Sequence, residues 1–183
     1  MIIVNLFGGP GAGKTTLAYY LAYRFKQAGF RAELVGEAAR EIIYDRNNPK
    51  EGGTAAQLLD NQLLITGLQA ERIKRLERHG IEVAIADSPL KMGLLYVNDS
   101  DMQSALAAAI ARFNEGLPHQ INVYVMRTCG TYDKESRAQG EDDAIRLDRA
   151  IVNMNVGFDQ SVGWGDEKEL FSYLLQEAKR GWN

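Results

Sequence analysis

A glycine-rich turn near the start of the chain constrains the fold more than any other feature of the sequence. Residues 8–15 read Gly-Gly-Pro-Gly-Ala-Gly-Lys-Thr and match the pattern G-x-x-x-x-G-K-[ST] at every fixed position. The apolar run at residues 2–7 favours a buried strand, and an amphipathic helix is predicted from about Lys14 to Gln27. Glycines let successive backbone N–H groups point at an anion, and a helix N-terminus adds partial positive charge. The pattern therefore predicts a strand, a phosphate-binding turn and a helix; the alternative is a glycine-rich turn that binds nothing.

The same turn predicts the donor side of a nucleotide site. Lys14 is expected to bridge the β- and γ-phosphates, and the Thr15 hydroxyl is expected to hold Mg²⁺. The residues assigned to nucleotide binding are Gly8, Gly9, Pro10, Gly11, Ala12, Gly13, Lys14, Thr15 and Thr16. ATP is the expected nucleotide, although the motif does not distinguish ATP from GTP and does not name an acceptor.

Strands and helices alternate along the rest of the chain, which is typical of an α/β fold with a parallel sheet. Further strands are predicted at residues 32–36, 81–86, 121–126 and 158–162, and helices at 38–45, 54–78, 89–97, 101–113, 142–155 and 167–179. The predicted packing residues of the 54–78 helix are Leu58, Leu59, Leu63, Ile65, Leu68, Ile73 and Leu76, and those of the first helix include Tyr19, Tyr20 and Tyr23. No repeat or linker divides the chain, so a single domain over residues 1–183 is predicted.

Charge and cysteine content exclude several classes of protein. The 183 residues carry 21 basic and 24 acidic side chains, a net charge of -3, which disfavours a protein that grips the DNA backbone but leaves room for a local basic groove. The single cysteine, Cys129, excludes an intramolecular disulfide and a cysteine-built zinc site. No apolar stretch approaches the roughly 20 residues of a membrane span. We expect a cytoplasmic protein without a membrane partner, in the host cytoplasm if the chain is encoded by a phage.

Asp87 is the first acidic candidate for a functional role. It follows the apolar run Val83-Ala-Ile-Ala and is expected at the carboxyl edge of the sheet, where parallel α/β folds bind ligands. There it would hold Mg²⁺ beside Thr15, directly or through water. The alternative is a helix cap, because Ser88 and Pro89 follow and suit the first turn of a helix. The two roles are compatible.

Glu37 and Arg40 are candidates for the acceptor side. Glu37 ends the second predicted strand, where a carboxylate can accept a proton from an acceptor hydroxyl that attacks the γ-phosphate. Arg40 would share a helix face with Glu37 and either bind an anionic part of the acceptor or neutralise charge during transfer. The alternative is the start of a helix with an ion pair between residues three apart, which contributes some tenths of a kcal/mol.

Together these segments resemble small P-loop kinases of nucleoside-like substrates. The resemblance rests on residues 8–16, on Gly-Glu-Ala-Ala-Arg-Glu at 36–41 and on Asp-Ser-Pro at 87–89. The nearest types are the ribosylnicotinamide-kinase domain and the small phage kinases that phosphorylate 5-hydroxymethyluracil in DNA. The resemblance implies a three-layer P-loop NTPase fold, with helices on both faces of a five-stranded, mostly parallel sheet of order 2-3-1-4-5. It also implies that Glu37 acts as base or acceptor ligand and that Asp87 is the acid ending the third strand.

The family also implies a short lid, at approximately residues 128–144. Arginines of such lids close over the transferring phosphate, so Arg137 and Arg127 are implied as catalytic residues and Arg146 as a further candidate. The alternative is a solvated loop. Trp164, which lies between two glycines, is a candidate neighbour of the adenine base.

The expected function is an ATP- and Mg²⁺-dependent phosphotransferase that acts on a hydroxyl of a nucleoside-like acceptor. The most specific acceptor implied by the resemblance is 5-hydroxymethyl-deoxyuridine within DNA, whose flipped base would need only a small basic rim. A ribosylnicotinamide or nucleoside kinase is the alternative within the class. A P-loop ATPase or regulatory switch without an acceptor, and a nucleotide-binding module without turnover, are the alternatives from other classes.

Overall fold

The computed structural model describes residues 1–38, 62–127 and 141–181, and all structural statements below concern these residues. Expectations for Arg40, Arg137, Leu58, Leu59 and the segment 128–140 of the predicted lid lie outside them. So do the predicted helix at 38–45 beyond its first residue and the first eight residues of the predicted 54–78 helix.

Helices and strands alternate along the described chain, as the hydrophobic pattern predicts. The strands are β1 (Ile2–Phe7), β2 (Ala32–Val35), β3 (Val83–Ala86), β4 (Gln120–Val125) and β5 (Gln160–Val162). The α-helices are α1 (Lys14–Gln27), α2 (Gln62–Arg78), α3 (Ser100–Asn114), α4 (Glu141–Asn153) and α5 (Glu167–Arg180), and a 3₁₀ helix spans Leu90–Tyr96. Strand β3 begins two residues later than expected, because the Ile81 N–H still bonds the Leu76 carbonyl in the turn that leaves α2.

The five strands form one sheet in the order β2-β3-β1-β4-β5, and every pairing in it is parallel. β1 lies at the centre, with Ile2 in register with Val83 of β3 and Ile3 in register with Gln120 of β4. The strand order expected from the resemblance is confirmed. Because the strands are parallel, the loops that follow β1, β2, β3 and β4 all emerge at the same edge of the sheet.

Helices cover both faces of the sheet, which gives the three layers that were expected. On one face, α1 and α5 bury a cluster that contains Leu21, Phe25 and Leu174, with the rings of Phe25 and Phe171 edge to face at 5.1 Å. On the other face, α2 and α3 bury a second cluster with Ile73 and Leu106. Among the helices described, none combines the length and apolar character needed to cross a bilayer.

The buried face of α2 differs from the face that its leucines predicted. Ile65 and Ile73 are buried, but Leu63 and Leu68 are 42% and 41% exposed, so their expected packing role is wrong. Polar residues take their place in the interior, namely Gln62, Thr66 and Gln69. Part of the reason is the 3₁₀ helix, where a Cβ added at Gly93 would lie 3.1 Å from Thr66 Oγ1. Such a close approach leaves little room for a large apolar side chain.

The exposed side of α1 also differs from expectation. Tyr20 packs partly against the core, as predicted, whereas Tyr19 and Tyr23 are mostly exposed. Leu17, Leu21 and Phe25 fill the buried stripe of the helix, and the two outer tyrosines lie off that stripe.

Candidate functional site at the phosphate loop

The turn between β1 and α1 has the backbone geometry of an anion-binding loop. Gly13 has φ +93°, a left-handed conformation that glycine adopts without strain, and α1 begins at the next residue. At Gly8 an added Cβ would lie 2.8 Å from the Val125 carbonyl oxygen, so only glycine fits against the end of β4. The N-terminus of α1 therefore opens onto the carboxyl edge of the sheet, where its free N–H groups favour a negative ligand.

Lys14 is the cation of the loop. Its Nζ donates to the Gly8 carbonyl at 2.7 Å and to the Gly9 carbonyl at 3.1 Å. The ammonium group thus lies across the start of the loop, on the same side as the helix N-terminus. Its expected role as a bridge between two phosphates stays a prediction.

Thr15 and Asp87 meet beside the loop. The Thr15 hydroxyl donates to Asp87 Oδ2 at 2.6 Å, and Asp87 is only 8% exposed. Within the described residues, the buried Asp87 Oδ1 has no hydrogen-bond partner. The 3₁₀ helix that follows is preceded by Pro89 and has no side-chain cap, so the helix-cap alternative for Asp87 is not what the structure contains.

This pair of oxygen ligands fits Mg²⁺. A hydroxyl and a carboxylate with one unsatisfied buried oxygen are hard donors of the kind that this ion takes, and the ion usually completes its octahedron with waters and phosphates. In the part of the chain that the structure describes, no group of three or more His, Cys, Asp or Glu side chains could hold a metal.

Glu37 lines the same small polar cavity as Thr15 and Asp87. The cavity has a volume of about 140 Å³. Its walls are Pro10, Gly11, Gly13, Lys14, Thr15, Thr16, Glu37, Asp87, Ser88, Met92 and Tyr96. Burial and, secondly, the negative charge of Glu37 raise the pKa of Tyr96 from 10.0 to about 12. A neutral phenol and a carboxylate therefore face the same space.

Gln69 joins the two loops that carry the acidic side chains. Its Oε1 accepts the Ala38 N–H at 3.2 Å, and its Nε2 donates to the Ser88 carbonyl at 3.0 Å. Gln69 is buried on α2. One amide side chain thus fixes the backbone next to Glu37 relative to the backbone next to Asp87.

Arg127 reaches the phosphate loop, but through the backbone of the loop. Its Nη2 donates to the Pro10 carbonyl at 2.7 Å, and its Nε donates to Asp148 Oδ2 at the same distance. Of the other lid candidates, Arg146 lies exposed on α4 and Arg137 is outside the described residues. A catalytic role for each of these arginines stays a prediction.

A second, apolar pocket also borders the phosphate loop, and Glu37 is not among the residues that line it. Its volume is about 380 Å³. Its walls are Ala12, Gly13, Thr16, Leu17, Tyr20, Val125, Met126, Val162, Gly163, Trp164, Gly165 and Glu167. Trp164 is 62% exposed, and a Cβ added at Gly13 would lie 3.6 Å from its indole nitrogen. The indole thus lies next to the phosphate loop, as expected for a neighbour of the base.

Three residues at the site were missed by the sequence reasoning, namely Gln69, Tyr96 and Asp148. Each is brought to the site by tertiary packing and carries no motif of its own. Asp148 accepts the Gly9 N–H at 2.6 Å across 139 positions of sequence. For Tyr96 the sequence does give a local signal, because it lies nine residues after Asp87 in the predicted helix 89–97.

The chain matches one protein family, and its fold is similar to that of solved structures. Residues 3–162 match the family described as an AAA domain. The sequence matches no curated protein at a significant level. The structure is similar to that of the NadR protein in complex with NR, with a TM-score of 0.68 and 16% identity over 95% of this chain and 50% of that chain. This chain therefore spans half the length of NadR.

A second similar structure matches over its whole length. It is deoxyadenosine kinase from M. mycoides with bound dCTP, with a TM-score of 0.61 and 19% identity over 96% of this chain and 99% of that chain. At these identities the likeness concerns the fold. The resemblance to small P-loop kinases that was predicted from the sequence is confirmed at that level.

Proposed function

The chain belongs to the AAA domain family, and from the side chains that meet at its phosphate loop we propose that it is an ATP- and Mg²⁺-dependent phosphotransferase. The acceptor is a hydroxyl of a nucleoside-like molecule. One observation carries the proposal: Lys14, Thr15, Asp87 and Glu37 line a single polar cavity. A phosphate-binding cation, two metal ligands and a candidate base on one small space are the parts that phosphoryl transfer needs.

The two pockets give the donor and the acceptor separate places. The apolar pocket beside Trp164 suits a purine base, because flat apolar walls and an indole favour stacking. Gly13 and Thr16 line both the apolar pocket and the polar cavity. A nucleotide whose base occupies the first would carry its phosphates past the loop amides towards Glu37.

The proposed reaction assigns each group a task. The acceptor oxygen forms a bond to the γ-phosphorus while the bond from that phosphorus to the β–γ bridging oxygen breaks, and ADP leaves. Glu37 takes the proton of the attacking hydroxyl, and Lys14 together with the loop amides neutralises charge on the phosphates. Thr15 and Asp87 would hold Mg²⁺, which supplies positive charge to the phosphate oxygens. Tyr96 lines the acceptor side as a neutral hydrogen-bond donor.

Two kinds of acceptor fit the proposal. The deoxyadenosine kinase of similar fold and the NadR structure with NR support a small nucleoside-like acceptor. The finer alternative, 5-hydroxymethyl-deoxyuridine in DNA, rests on the sequence resemblance alone. Both present a hydroxyl without a charged group next to it. Asp87 and Lys14 are assigned to the metal and the phosphates, so Glu37 is the charge proposed for the acceptor side, and its carboxylate suits such a neutral hydroxyl better than a phosphate monoester.

A transfer assay tests the function and sorts the acceptors. The protein is incubated with γ-labelled ATP, Mg²⁺ and, separately, deoxynucleosides, ribosylnicotinamide and a duplex that contains 5-hydroxymethyluracil. A labelled product formed in proportion to ADP supports the kinase and identifies its acceptor class. ADP and inorganic phosphate formed at the same rate with and without every acceptor would instead support the ATPase alternative. GTP in place of ATP shows whether the donor pocket selects the base.

A further inference from the structure

The helix α4 holds the first half of the phosphate loop through one carboxylate. Asp148 Oδ1 accepts the Gly9 N–H at 2.6 Å, and Asp148 Oδ2 accepts Arg127 Nε–H at 2.7 Å. Arg127 in turn donates from Nη2 to the Pro10 carbonyl at 2.7 Å. The peptide groups of two consecutive loop residues are therefore held by a single ion pair that does not belong to the loop.

The contact is packed as well as hydrogen-bonded. A Cβ added at Gly9 would lie 2.5 Å from Asp148 Oδ1, 2.9 Å from the Ala144 carbonyl oxygen and 3.1 Å from Arg127 Nη2. The side chains of Arg127 and Asp148 are only 20% and 13% exposed. Charge pairs this poorly hydrated cost more to break than surface pairs do. Gly9 is thus fitted to α4 and not to the ligand alone.

The charge of Asp148 also needs its partner. A carboxylate hydrogen-bonded to the loop would repel a triphosphate bound by the neighbouring amides. The Arg127 guanidinium, in contact with the same carboxylate, offsets that negative charge. Loop geometry and loop electrostatics therefore depend on the same two side chains.

We propose that Asp148 is a positioning residue of the donor site. With Arg127 it presets the Gly9–Pro10 backbone for the phosphate tail of the donor, an inference that rests on the proposed nucleotide-binding function. Without this anchor the loop has to become ordered when the phosphates bind, and the conformational entropy lost in that step lowers the affinity for ATP. We expect Asp148→Ala to weaken ATP binding by about tenfold to a hundredfold. Asp148→Asn keeps an oxygen for the Gly9 N–H and should lose less, about threefold to tenfold.

Two probes separate a loop effect from a general one. Dissociation constants are measured by calorimetry for ATP and for inorganic tripolyphosphate, each with Mg²⁺, and thermal midpoints are recorded for every variant. Both Asp148 variants should weaken ATP and tripolyphosphate by the same factor, because both probes engage the loop. Trp164→Ala should weaken ATP alone. Asp101→Asn, an exposed carboxylate in the first turn of α3, is the matched control and should leave both constants unchanged.

A double substitution gives a result that a merely structural role would not. Arg127→Met leaves the Asp148 carboxylate uncompensated beside the loop, so triphosphate affinity should fall further than in Asp148→Asn. Adding Asp148→Asn to Arg127→Met removes that charge and keeps the Gly9 hydrogen bond, so part of the affinity should return. This comparison holds even if Asp148→Ala does not fold.

The outcomes separate this inference from the proposed function. The inference is overturned if Asp148→Asn and the double variant both bind tripolyphosphate with dissociation constants within about twofold of that of the unaltered protein. Additive losses in the double variant overturn it as well. An unaltered protein that binds neither ATP nor tripolyphosphate overturns the proposed function and this inference together. Normal binding without transfer to any acceptor leaves the positioning role of Asp148 intact.

Discussion

Replacing Glu37 by glutamine tests the acceptor side of the proposed reaction most directly. The substitution keeps the shape of the side chain and removes both its charge and its capacity to take a proton. A positioned general base contributes about 10²–10⁴-fold to a rate, which corresponds to about 3–5 kcal/mol of activation free energy. We expect transfer to fall by that factor. ATP affinity should stay within about twofold, because the loop amides, Lys14 and Asp87 come from other segments of the chain.

The same variant has an independent readout in the ionisation of Tyr96. Burial is the larger cause of the raised pKa of Tyr96, and the charge of Glu37 is the smaller one. Glu37→Gln should therefore lower the pKa of Tyr96 from about 12 while leaving it above 10.0, since the burial remains. The titration is followed by tyrosinate absorbance, and subtraction of a Tyr96→Phe titration isolates this residue from the other seven of the 8 tyrosines.

Single-turnover transfer of labelled phosphate and calorimetric ATP binding are the required assays. Glu33→Gln is the matched control, because Glu33 lies on β2, the strand that precedes Glu37, is about half exposed and pairs with Lys26 at the surface. It should change neither quantity. A Glu37→Gln protein that keeps more than about a tenth of the transfer rate would refute the assignment of Glu37 as base. A loss of ATP affinity would place Glu37 on the donor side instead.

Three further predictions concern the proposed metal ligand Asp87, the loop and the phenol of Tyr96. Asp87→Asn should retain the hydrogen bond with Thr15, but Mg²⁺ should no longer raise the thermal midpoint of its ATP complex. If Mg²⁺ raises that midpoint in the variant as much as in the unaltered protein, the metal binds elsewhere. Gly9→Ala should raise the dissociation constant for ATP by about tenfold or more, because its Cβ would lie 2.5 Å from Asp148 Oδ1. The control is Gly67→Ala, whose Cβ would meet no atom within 4 Å and which should stabilise α2 by about 0.5–1 kcal/mol in thermal unfolding. The pKa of Tyr96 is raised on folding to about 12, so Tyr96 stabilises the folded protein fully below pH 10, and this stabilisation is lost as the pH rises to 12. The free energy of unfolding from denaturant curves should therefore fall by about 2–3 kcal/mol more over that pH range in the unaltered protein than in Tyr96→Phe.

The central part of the fold and the donor side of the site could be predicted because their signals are local. The loop motif fixes backbone conformations within eight residues, and the apolar runs 2–7 and 83–86 are short enough to be strands only. Asp87 was placed correctly since it directly follows a buried parallel strand. The strand order, however, came from the resemblance, because nothing in the local pattern states which strands pair.

The remaining features depend on which surfaces meet in three dimensions. Helical periodicity predicts that the leucines of α2 face the core, but Leu68 is exposed and two polar residues, Thr66 and Gln69, are buried. The 3₁₀ helix approaches α2 closely at Thr66. Gln69 faces inward because it bonds the backbone of Ala38 and Ser88. Asp148 lies on α4 and Gly9 on the loop after β1, and no spacing rule links them. Tyr96 acquires its raised pKa only where the fold buries it near Glu37.

The position of Glu37 is also what distinguishes a kinase from a nucleotide-driven switch. Either kind of protein needs the loop, Lys14 and the Thr15–Asp87 pair, because both bind a triphosphate with its metal. A switch has to place a water molecule, whereas a kinase has to exclude water and admit a hydroxyl. The cavity beyond the loop is small, carries Met92 and the phenol of Tyr96 in its wall, and offers the Glu37 carboxylate as the group to receive a proton. Such a space favours an organic acceptor, so hydrolysis in the absence of acceptor should be slow and should be insensitive to Tyr96→Phe, while transfer should respond to both Tyr96→Phe and Glu37→Gln.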